Sequence, residues 1–346
     1  MLAMKNKIAI LGFGGTIAMV PNKEGTLVPA KGVDELISFV HKIKELADVT
    51  LVQLENLDST NINPTHWTKL ANKIAQVYKD YDGIIVIHGT DTMAYTAGAV
   101  ALAVGKALSI PVVFTGSQLP MIETGTDAPF NLENSVKTVL QAIREGIAEV
   151  MIVFSDRVLR GVRAIKTSES KFGAFDSPAF PYLAQITATG VSFSPLALKA
   201  TKNKTNELKI NGHFKSDILA IDLVPGLEPG ILRKTIKSGN IQALLLKSLG
   251  AGNVPSIEPY SFLPLIEEVV KDGIPVLIST KFVGGKTILD LYEPGKKALE
   301  AGAIPTGDMT DVMSQVKLMW LLGKGFTSME DLKKEILTDY VGEISV

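Results

Sequence analysis

Residues 84–98 read Ile-Ile-Val-Ile-His-Gly-Thr-Asp-Thr-Met-Ala-Tyr-Thr-Ala-Gly, and this stretch decides the fold. Its first four residues form a β-branched, wholly apolar run, which is typical of a strand buried on both faces of a parallel sheet. Small polar residues interrupt the run at 88–92, and a helix-like pattern follows from Met93. Hydroxyls and a carboxylate therefore lie where a buried strand leads into a helix. In open α/β sheets, ligands bind at this carboxyl edge.

Strand-like and helix-like segments alternate along the chain on both sides of this stretch. Such alternation is typical of βαβ units and predicts an α/β fold with a doubly wound, mostly parallel sheet. In the N-terminal part, the predicted strands are 8–11, 49–54, 83–87, 111–115 and 150–154, and the predicted helices are 32–47, 65–78, 94–108 and 131–145. In the C-terminal part, the predicted strands are 218–223, 243–248 and 276–280, and the predicted helices are 231–238, 263–272, 295–301, 308–322 and 328–337.

The chain is long enough for two domains, since it has 346 residues and domains commonly contain about 100–200. Residues 194–216 are polar, rich in Lys, Asn and Thr, and weakly periodic, which indicates a linker. We therefore predict two α/β domains. The larger N-terminal domain, residues 1–193, has the doubly wound, mostly parallel sheet, and the smaller C-terminal domain, residues 217–346, has a parallel sheet.

Composition excludes several classes of function. The net charge is −1, from 35 basic and 36 acidic residues, which gives no electrostatic reason to expect binding to nucleic acid or to an anionic membrane. Because the chain has no cysteine, it has no disulfide and no thiol nucleophile. The four histidines are scattered without metal-ligand spacing, and we expect no metal and no other cofactor. No segment offers about 18 unbroken apolar residues or a signal peptide, so we expect a cytoplasmic protein.

A glycine-rich turn follows the first predicted strand, in the segment Gly12-Phe13-Gly14-Gly15-Thr16-Ile17-Ala18. It does not fit the dinucleotide-binding pattern, because Ile17 stands where G-x-G-x-x-G requires glycine. The two adjacent glycines permit a tight turn that brings backbone N–H groups close to a ligand. A plain tight turn with Thr16 as a local cap is an equally good interpretation. Residues 19–32, with two prolines and two glycines, are either a flap over a site or, by composition, a plain surface loop.

Two separated motifs together resemble the signatures of the bacterial-type L-asparaginase family. They are Gly14-Gly15-Thr16-Ile17-Ala18 and His88-Gly89-Thr90-Asp91-Thr92. Further segments with this resemblance are Asp58-Ser59-Thr60, Thr115-Gly116-Ser117-Gln118, Arg160-Gly161-Val162-Arg163-Ala164-Ile165-Lys166-Thr167 and Gly250-Ala251-Gly252-Asn253. The type I (cytoplasmic) branch of the family fits best, because no signal peptide is present and residues 172–178 follow the lysine as in that branch.

The resemblance implies hydrolysis of the side-chain amide of L-asparagine through a threonine nucleophile, without a cofactor. Thr16 is the implied nucleophile, and Lys166, hydrogen-bonded to Thr90 with Asp91 nearby, is part of the activating set. Asp58 and Asp91 are expected to pair with the substrate ammonium, and Ser59 to hold its α-carboxylate. The other implied substrate-binding residues are Thr60, Gly15, Gly89 and Ser117. The family also implies a homodimer or a dimer of dimers, in which the turn near Asn253 reaches toward the neighbouring protomer.

Each candidate residue also has a simpler explanation when it is taken alone. Asp91 suits the N-cap of the helix that follows it, and Asp58-Ser59 suits an Asx turn. Lys166 fits a solvated surface lysine, which is the ordinary state of that residue. His88, directly after a buried strand, fits a structural histidine better than a catalytic one. Only the joint arrangement of these residues favours catalysis.

The sequence departs from the family pattern in the flap. Family members usually carry a tyrosine there, close to the nucleophile, whereas residues 19–32 contain none and Thr26 or Leu27 occupies the matching place. Another tyrosine, or the Thr90–Lys166 pair, must then remove the proton from Thr16. Covalent catalysis and direct attack by water both stay open.

Two other functions are compatible with the same motifs. One is a component of a glutamyl-tRNA(Gln) amidotransferase, which requires a partner and tRNA. The neutral charge argues against it, and so does the first motif near residue 8, which leaves no room for the additional N-terminal domain of that relative. The other is an amino-acid-binding protein without turnover, since a fold does not fix a function.

Overall fold

The computed structural model describes residues 5–15, 19–21, 24, 27–29, 43–200, 207–326 and 328–345. By their contacts the chain divides into two compact units, Met1–Gly212 and His213–Val346. The first part of the segment predicted as a linker packs on the first unit, since Ala148 N–H donates to the Leu198 carbonyl at 3.0 Å and Ala197 is buried. The predicted boundaries of the domains and of the linker stay a prediction.

The first unit contains twelve strands and four α-helices among its described residues. The strands are β1 Lys7–Gly14, β2 Met19–Pro21, β3 Leu27–Pro29, β4 Asp48–Leu57, β5 Gly83–Ile87, β6 Val112–Thr115, β7 Val150–Phe154, β8 Arg157–Arg160, β9 Ile165–Lys166, β10 Phe175–Asp176, β11 Ala184–Thr187 and β12 Gly190–Phe193. The helices are α1 Ile43–Leu46, α2 Pro64–Val77, α3 Met93–Val104 and α4 Ala128–Glu145, and 3₁₀ turns lie at Ser59–Asn61, Gly105–Ala107 and Gly161–Arg163.

Eight of these strands form one sheet in the order β12-β11-β8-β7-β6-β5-β1-β4. Five neighbouring strands of this sheet, β7, β6, β5, β1 and β4, are parallel to one another. This confirms the predicted fold class. Strands β8, β11 and β12 extend the sheet in antiparallel fashion and were not predicted. Every residue of β5 and of β7 is buried, as expected for strands covered on both faces.

Helix α4 covers one face of the sheet. Its Leu132, Val136 and Val139 share an apolar cluster with alternate residues of the central strands, among them Ile85 and Ile87. Helix α3 is buried almost throughout and packs against α2 and β7. The helices thus cover the parallel strands, whose pairing brings their carboxyl ends to one edge.

Two predictions in the N-terminal segment are met only in part by the described residues. The predicted helix 32–47 is seen as α1, and its residues 32–42 lie outside the described residues. In the segment interpreted as a flap or a surface loop, β2 and β3 form an antiparallel pair.

The second unit has a sheet of four parallel strands in the order β13-β14-β15-β16. Its strands are β13 Ile218–Asp222, β14 Ala243–Ser248, β15 Val276–Thr280 and β16 Ile304–Pro305, and its helices are α5 Pro229–Ser238, α6 Leu263–Lys271, α7 Glu293–Glu300, α8 Asp311–Gly323 and α9 Met329–Ile336. This confirms the smaller parallel sheet predicted for the C-terminal part. None of the described helices of either unit is long and apolar enough to cross a membrane.

Candidate active site

Four turns of the first unit lie at the carboxyl edge of its parallel strands. They follow β1, β4, β5 and β6, which are neighbours in the sheet and run in the same direction. Because parallel neighbours end at the same edge, the turns that follow them are close in space. These turns contain residues 14–15, 58–60, 88–92 and 116–118. Four of the segments that carry the family resemblance therefore meet at one edge.

The first glycine turn is in direct backbone contact with two of the others. Gly15 N–H donates to the Leu57 carbonyl at 3.2 Å. A Cβ atom on Gly15 would lie 2.4 Å from the Gly89 nitrogen, and the φ of Gly15 is +100°, so only glycine fits here. Thr16, the implied nucleophile, is the next residue in the chain and lies outside the described residues.

Thr90, Asp91 and Lys166 form a hydrogen-bonded group, which we call the Thr90 centre. Lys166 Nζ donates to Thr90 Oγ1 at 2.8 Å and lies 2.6 Å from Asp91 Oδ1. Thr90 is buried, and the Lys166 side chain is only 17% exposed, so its amine does not point into bulk water. The simpler interpretation of Lys166 as a solvated surface residue does not hold.

The Asp91 carboxylate is directed to the lysine and not to the following helix. The N-cap position of α3 is Thr92, and no side chain caps that helix end by a hydrogen bond. The Asp91 side chain is 54% exposed, so part of its carboxylate still faces solvent. Asp91 thus neutralises the ammonium of Lys166 and remains accessible to a small ligand.

The turn after β4 is an Asx turn and also part of the candidate site. Asp58 Oδ1 accepts from both the N–H and the hydroxyl of Thr60, each at 2.9 Å. Ser59 is buried, and Thr92 Oγ1 donates to its carbonyl at 2.8 Å. A Cβ atom on Gly89 would lie 2.7 Å from Ser59 Oγ. The structural and the functional interpretations of this turn are therefore compatible.

The turn after β6 contributes a residue that sequence reasoning did not single out. The hydroxyl of Ser117, a predicted substrate-binding residue, donates to the Leu119 carbonyl at 2.6 Å and so stabilises the turn in which it lies. The neighbouring Gln118 instead approaches the Thr90 centre, with its Oε1 3.5 Å from Thr90 Oγ1. The only signal in the sequence was its position in the motif 115–118.

His88 is a structural residue in an apolar pocket. Its ring stacks on Phe13 at 5.6 Å and lies 6.1 Å from the ring of Phe114. Its Nδ1 is 2.7 Å from the Gly89 carbonyl, and Nε2 has no hydrogen-bond partner among the described atoms. Burial lowers the pKa of His88 to about 4, and the Gly89 carbonyl acts in the opposite direction. The imidazole is neutral near pH 7 and contributes no charge to the edge.

The glycine-rich turn 250–253 follows β14 in the second unit. Asn253 N–H donates to the Leu249 carbonyl at 2.8 Å, and Thr280 Oγ1 donates to the Gly250 carbonyl at 2.7 Å. Within the described parts of both units, no group of three or more His, Asp or Glu side chains is arranged to hold a metal ion.

Comparison with known proteins shows two family models along the chain. The asparaginase N-terminal domain matches residues 7–197, and the glutaminase/asparaginase C-terminal domain matches residues 217–335. The chain is 32% identical to the L-asparaginase of Thermococcus kodakarensis, over 98% of this chain and 99% of that protein. The structure of that enzyme superposes with a TM-score of 0.88 and covers 98% of this chain and 99% of its own.

Two further relatives differ in what their names state. The chain is 32% identical to a component of the glutamyl-tRNA(Gln) amidotransferase of Pyrococcus abyssi, over 98% of this chain and 77% of that protein. A probable cytoplasmic L-asparaginase from Campylobacter jejuni, 28% identical, superposes with a TM-score of 0.81 and covers 97% of this chain and 100% of its own. The resemblance indicated by the sequence motifs is confirmed.

The burial of His88 predicts a pH dependence of stability. In the unfolded chain a histidine has a pKa near 6.5, above the folded value of about 4, so the unfolded state binds more protons between these values. The contribution is fully present above about pH 6.5 and is lost as the pH falls toward 4; it amounts to about 3 kcal/mol. We expect a His88→Gln variant to lose less stability than wild type between pH 7 and pH 4.

Urea unfolding followed by Trp67 fluorescence, in a Trp320→Phe background, reports on the first unit. The control is Asn72→Gln at an exposed position of α2 in the same unit, which changes no ionisable group and should leave the pH dependence as in wild type. Equal losses of unfolding free energy in wild type and His88→Gln would contradict the assignment.

Proposed function

The chain belongs to the asparaginase family, and on that premise we propose that it hydrolyses L-asparagine to L-aspartate and ammonia. One observation carries the proposal: Lys166 Nζ donates to Thr90 Oγ1 at 2.8 Å while it is paired with Asp91 at 2.6 Å. A hydroxyl held by a shielded lysine is an arrangement that activates oxygen nucleophiles. The similarity to the L-asparaginase of Thermococcus kodakarensis supports asparagine as the substrate.

We propose Thr16 as the primary nucleophile. It directly follows Gly15, whose backbone contacts Gly89. Attack of its hydroxyl oxygen on the side-chain amide carbon forms an acyl-enzyme, and the C–N bond breaks as ammonia leaves with the transferred proton. Water then cleaves the ester to give aspartate. Backbone N–H groups at Thr90 or at 15–16 are the proposed donors to the oxyanion.

The Thr90 centre is the proposed activating set. Lys166 is partly shielded from solvent, and the exposed carboxylate of Asp91 compensates its charge. Lys166 can act as a base only as the free amine, so we propose that its ammonium first passes a proton to Asp91 Oδ1, 2.6 Å away. The amine then takes up the Thr90 proton, while Thr90 Oγ1 takes up the proton of the attacking hydroxyl. The set acts either on Thr16 or on the attacking water. Mass-spectrometric trapping of an acyl adduct, with its site located, separates the two routes.

The substrate head is assigned to the turn after β4 and to Asp91. Asp58 and Asp91 are proposed to pair with the ammonium group, and Ser59 with neighbouring N–H groups to bind the α-carboxylate. Thr60, Gly15, Gly89 and Ser117 complete this set. Ser117 would act through its backbone, because its hydroxyl is bonded to the Leu119 carbonyl.

The flap tyrosine of the family needs no replacement if the Thr90–Lys166 pair serves both proton transfers. Tyr182 is a poor substitute, although Asp176, to which it donates at 2.6 Å, lies in the strand that pairs with β9. The hydrogen bond to Asp176, together with burial, raises the pKa of Tyr182. Its phenol therefore stays protonated near pH 7 and does not act as a base.

We further propose a cytoplasmic homodimer or dimer of dimers. The location is supported by the similarity to the probable cytoplasmic L-asparaginase of Campylobacter jejuni. Assembly is supported by large apolar side chains that are exposed on loops of the second unit, among them Ile257 (81%), Val283 (69%) and Tyr292 (55%). Burying these side chains between protomers would remove their apolar surface from water, which favours association.

Removing either threonine hydroxyl should abolish ammonia release from L-asparagine. We expect Thr16→Ala and Thr90→Val to lower kcat by about 1,000-fold or more, because each removes a group of one catalytic set. The control is Thr235→Val on the exposed side of α5, which should retain wild-type kcat. Purified wild-type chain is assayed alone. Binding of asparagine without ammonia would select the amino-acid-binding function, and turnover only with a partner and tRNA would select the amidotransferase.

Restoring a flap tyrosine should change the rate little. If the Thr90–Lys166 pair already removes the proton from Thr16, Leu27→Tyr will leave kcat for asparagine within about threefold of wild type. Leu27→Phe matches the variant in size without the hydroxyl. A gain of more than about tenfold in Leu27→Tyr alone would show that the missing tyrosine limits turnover.

Sedimentation analysis tests the assembly. Wild type should sediment as a dimer or a larger species at micromolar concentration. A charge in the exposed apolar loops should shift it toward monomer, since burying an unpaired carboxylate is costly. We expect this of Val283→Asp but not of Ile231→Asp, which alters a similarly exposed residue on α5. Monomeric wild type would contradict the proposal.

A further inference from the structure

A buried carboxylate at the start of α4 has a use that its position in the helix does not explain. Asp127 occupies the N-cap position of α4 and is 8% exposed, but its side chain makes no capping hydrogen bond. Its Oδ1 accepts from the N–H groups of Gln118 and Leu119, at 3.0 and 3.1 Å. Its Oδ2 accepts from Gln118 N–H at 3.1 Å and from Asn131 Nδ2 at 2.9 Å. Asp127 thus binds the backbone of the turn after β6 and one side chain of its own helix, but caps no backbone N–H of that helix.

The same turn is held from α4 by further contacts. Asn131 Nδ2 donates to the Gly116 carbonyl at 2.9 Å, and Thr126 Oγ1 donates to the Leu119 carbonyl at 3.1 Å. Gly116 lies so close to the second motif that a Cβ atom on it would be 2.3 Å from the His88 carbonyl oxygen. Residues 116–119 are therefore clamped between the start of α4 and the end of β5.

The side chain of Gln118 connects this turn to the Thr90 centre. Its Nε2 donates to the Lys171 carbonyl at 3.1 Å, which fixes the orientation of the amide. The other end of the amide, Oε1, then faces Thr90 Oγ1 at 3.5 Å. Thr90 Oγ1 already accepts a hydrogen bond from Lys166, and a hydroxyl has one proton to donate. Gln118 Oε1, at the limit of hydrogen-bond distance, is thus an acceptor available to the Thr90 hydroxyl.

We propose that Asp127 is a positioning residue for hydrolysis, which acts on the Thr90 centre through Gln118. Its carboxylate fixes the backbone of Gln118, and the backbone places the side-chain amide between Thr90 and Lys171. The direction of the Thr90 proton, and with it the face that Thr90 presents to Lys166, depends on this placement. The inference rests on the proposed function.

Asp127→Asn changes the chemistry of the clamp with almost no change in shape. Aspartate offers two acceptor oxygens to three N–H donors, whereas asparagine offers one oxygen and places an NH₂ group against the other donors. At least one contact to the turn is lost, and Gln118 shifts. A displacement of about 1 Å at a reacting group is enough to cost about 100-fold in rate.

The test is a double-mutant cycle on kcat for L-asparagine. We expect Asp127→Asn to lower kcat by about 100-fold and to raise KM much less, because Asp58, Ser59 and Asp91 lie on other turns and only Ser117 of the proposed substrate-binding set lies on the clamped turn. We expect Gln118→Ala to lower kcat to a similar extent. In the Gln118→Ala background, Asp127→Asn should cost less than about threefold more, since its route of action is already removed. Asp331→Asn, a helix-start carboxylate in the second unit, is the control.

Three results would overturn the proposal. They are wild-type kcat in Asp127→Asn, a full loss from Asp127→Asn in the Gln118→Ala background, and a loss that follows only the fraction of folded protein. A crystal structure of Asp127→Asn gives a readout without turnover: Gln118 should leave Thr90 and Lys171. If wild type releases no ammonia, the proposed function fails, and the crystal structure alone decides the positioning role, which an unmoved Gln118 would refute.

Discussion

Backbone-to-backbone contact between turns is the constraint on which the site depends. Gly15 lies against Gly89, and Gly116 lies against the carbonyl of His88, with no room for a side chain at either place. A Cβ atom at these positions would push the strand ends apart. The hydrogen bond from Lys166 to Thr90, at 2.8 Å, has little tolerance for such a shift, because hydrogen bonds weaken quickly beyond about 3.2 Å. The glycines therefore determine how closely the turns approach each other. This spacing keeps Thr90 within hydrogen-bond distance of Lys166.

Among the described residues, three charged side chains lie at this edge: Asp58, Asp91 and Lys166. His88 is buried behind the motif and neutral, since burial lowers its pKa to about 4. The ammonium of Lys166 is balanced by Asp91, and the carboxylate of Asp58 lies on the adjacent turn. Two accessible carboxylates beside one shielded ammonium favour a ligand that carries its own ammonium group, which is consistent with an amino acid substrate.

The parallel core could be predicted from the sequence because its strands are continuous apolar runs, as at β5 and β7. The antiparallel strands that extend this sheet, β8, β11 and β12, could not be predicted. They have four residues each, and the turn from β7 to β8 has Ser155 at φ +56° where a glycine is usual. Asn131 Oδ1, which accepts from Ser155 N–H at 2.8 Å, helps to hold that turn, and no local pattern reveals it.

The candidate site was likewise predictable only where it is local. Thr90 and Asp91 directly follow a buried strand, so their position at the edge is implied by the pattern. The link from Asp127 to Gln118 is not implied by any local pattern. An Asp before a helix predicts an N-cap, whereas the Asp127 carboxylate accepts from the Gln118 N–H.

The path of the chain from β8 to β9 explains how Lys166, which is far from Thr90 in sequence, reaches this edge. Strand β8 runs antiparallel to β7 and so leads away from the carboxyl edge. The 3₁₀ turn after it packs on α3, where a Cβ atom on Gly161 would lie 3.3 Å from Ala97 Cβ and 2.9 Å from the Val150 carbonyl oxygen. From Gly161 beside Ala97 to Lys166 beside Thr90, the chain runs back toward the start of the helix. The small residues at 97 and 161 allow this close return, and the pairing of β9 with β10 fixes where it ends. The lysine is thus placed by packing of the chain against the helix that directly follows its partners Thr90 and Asp91.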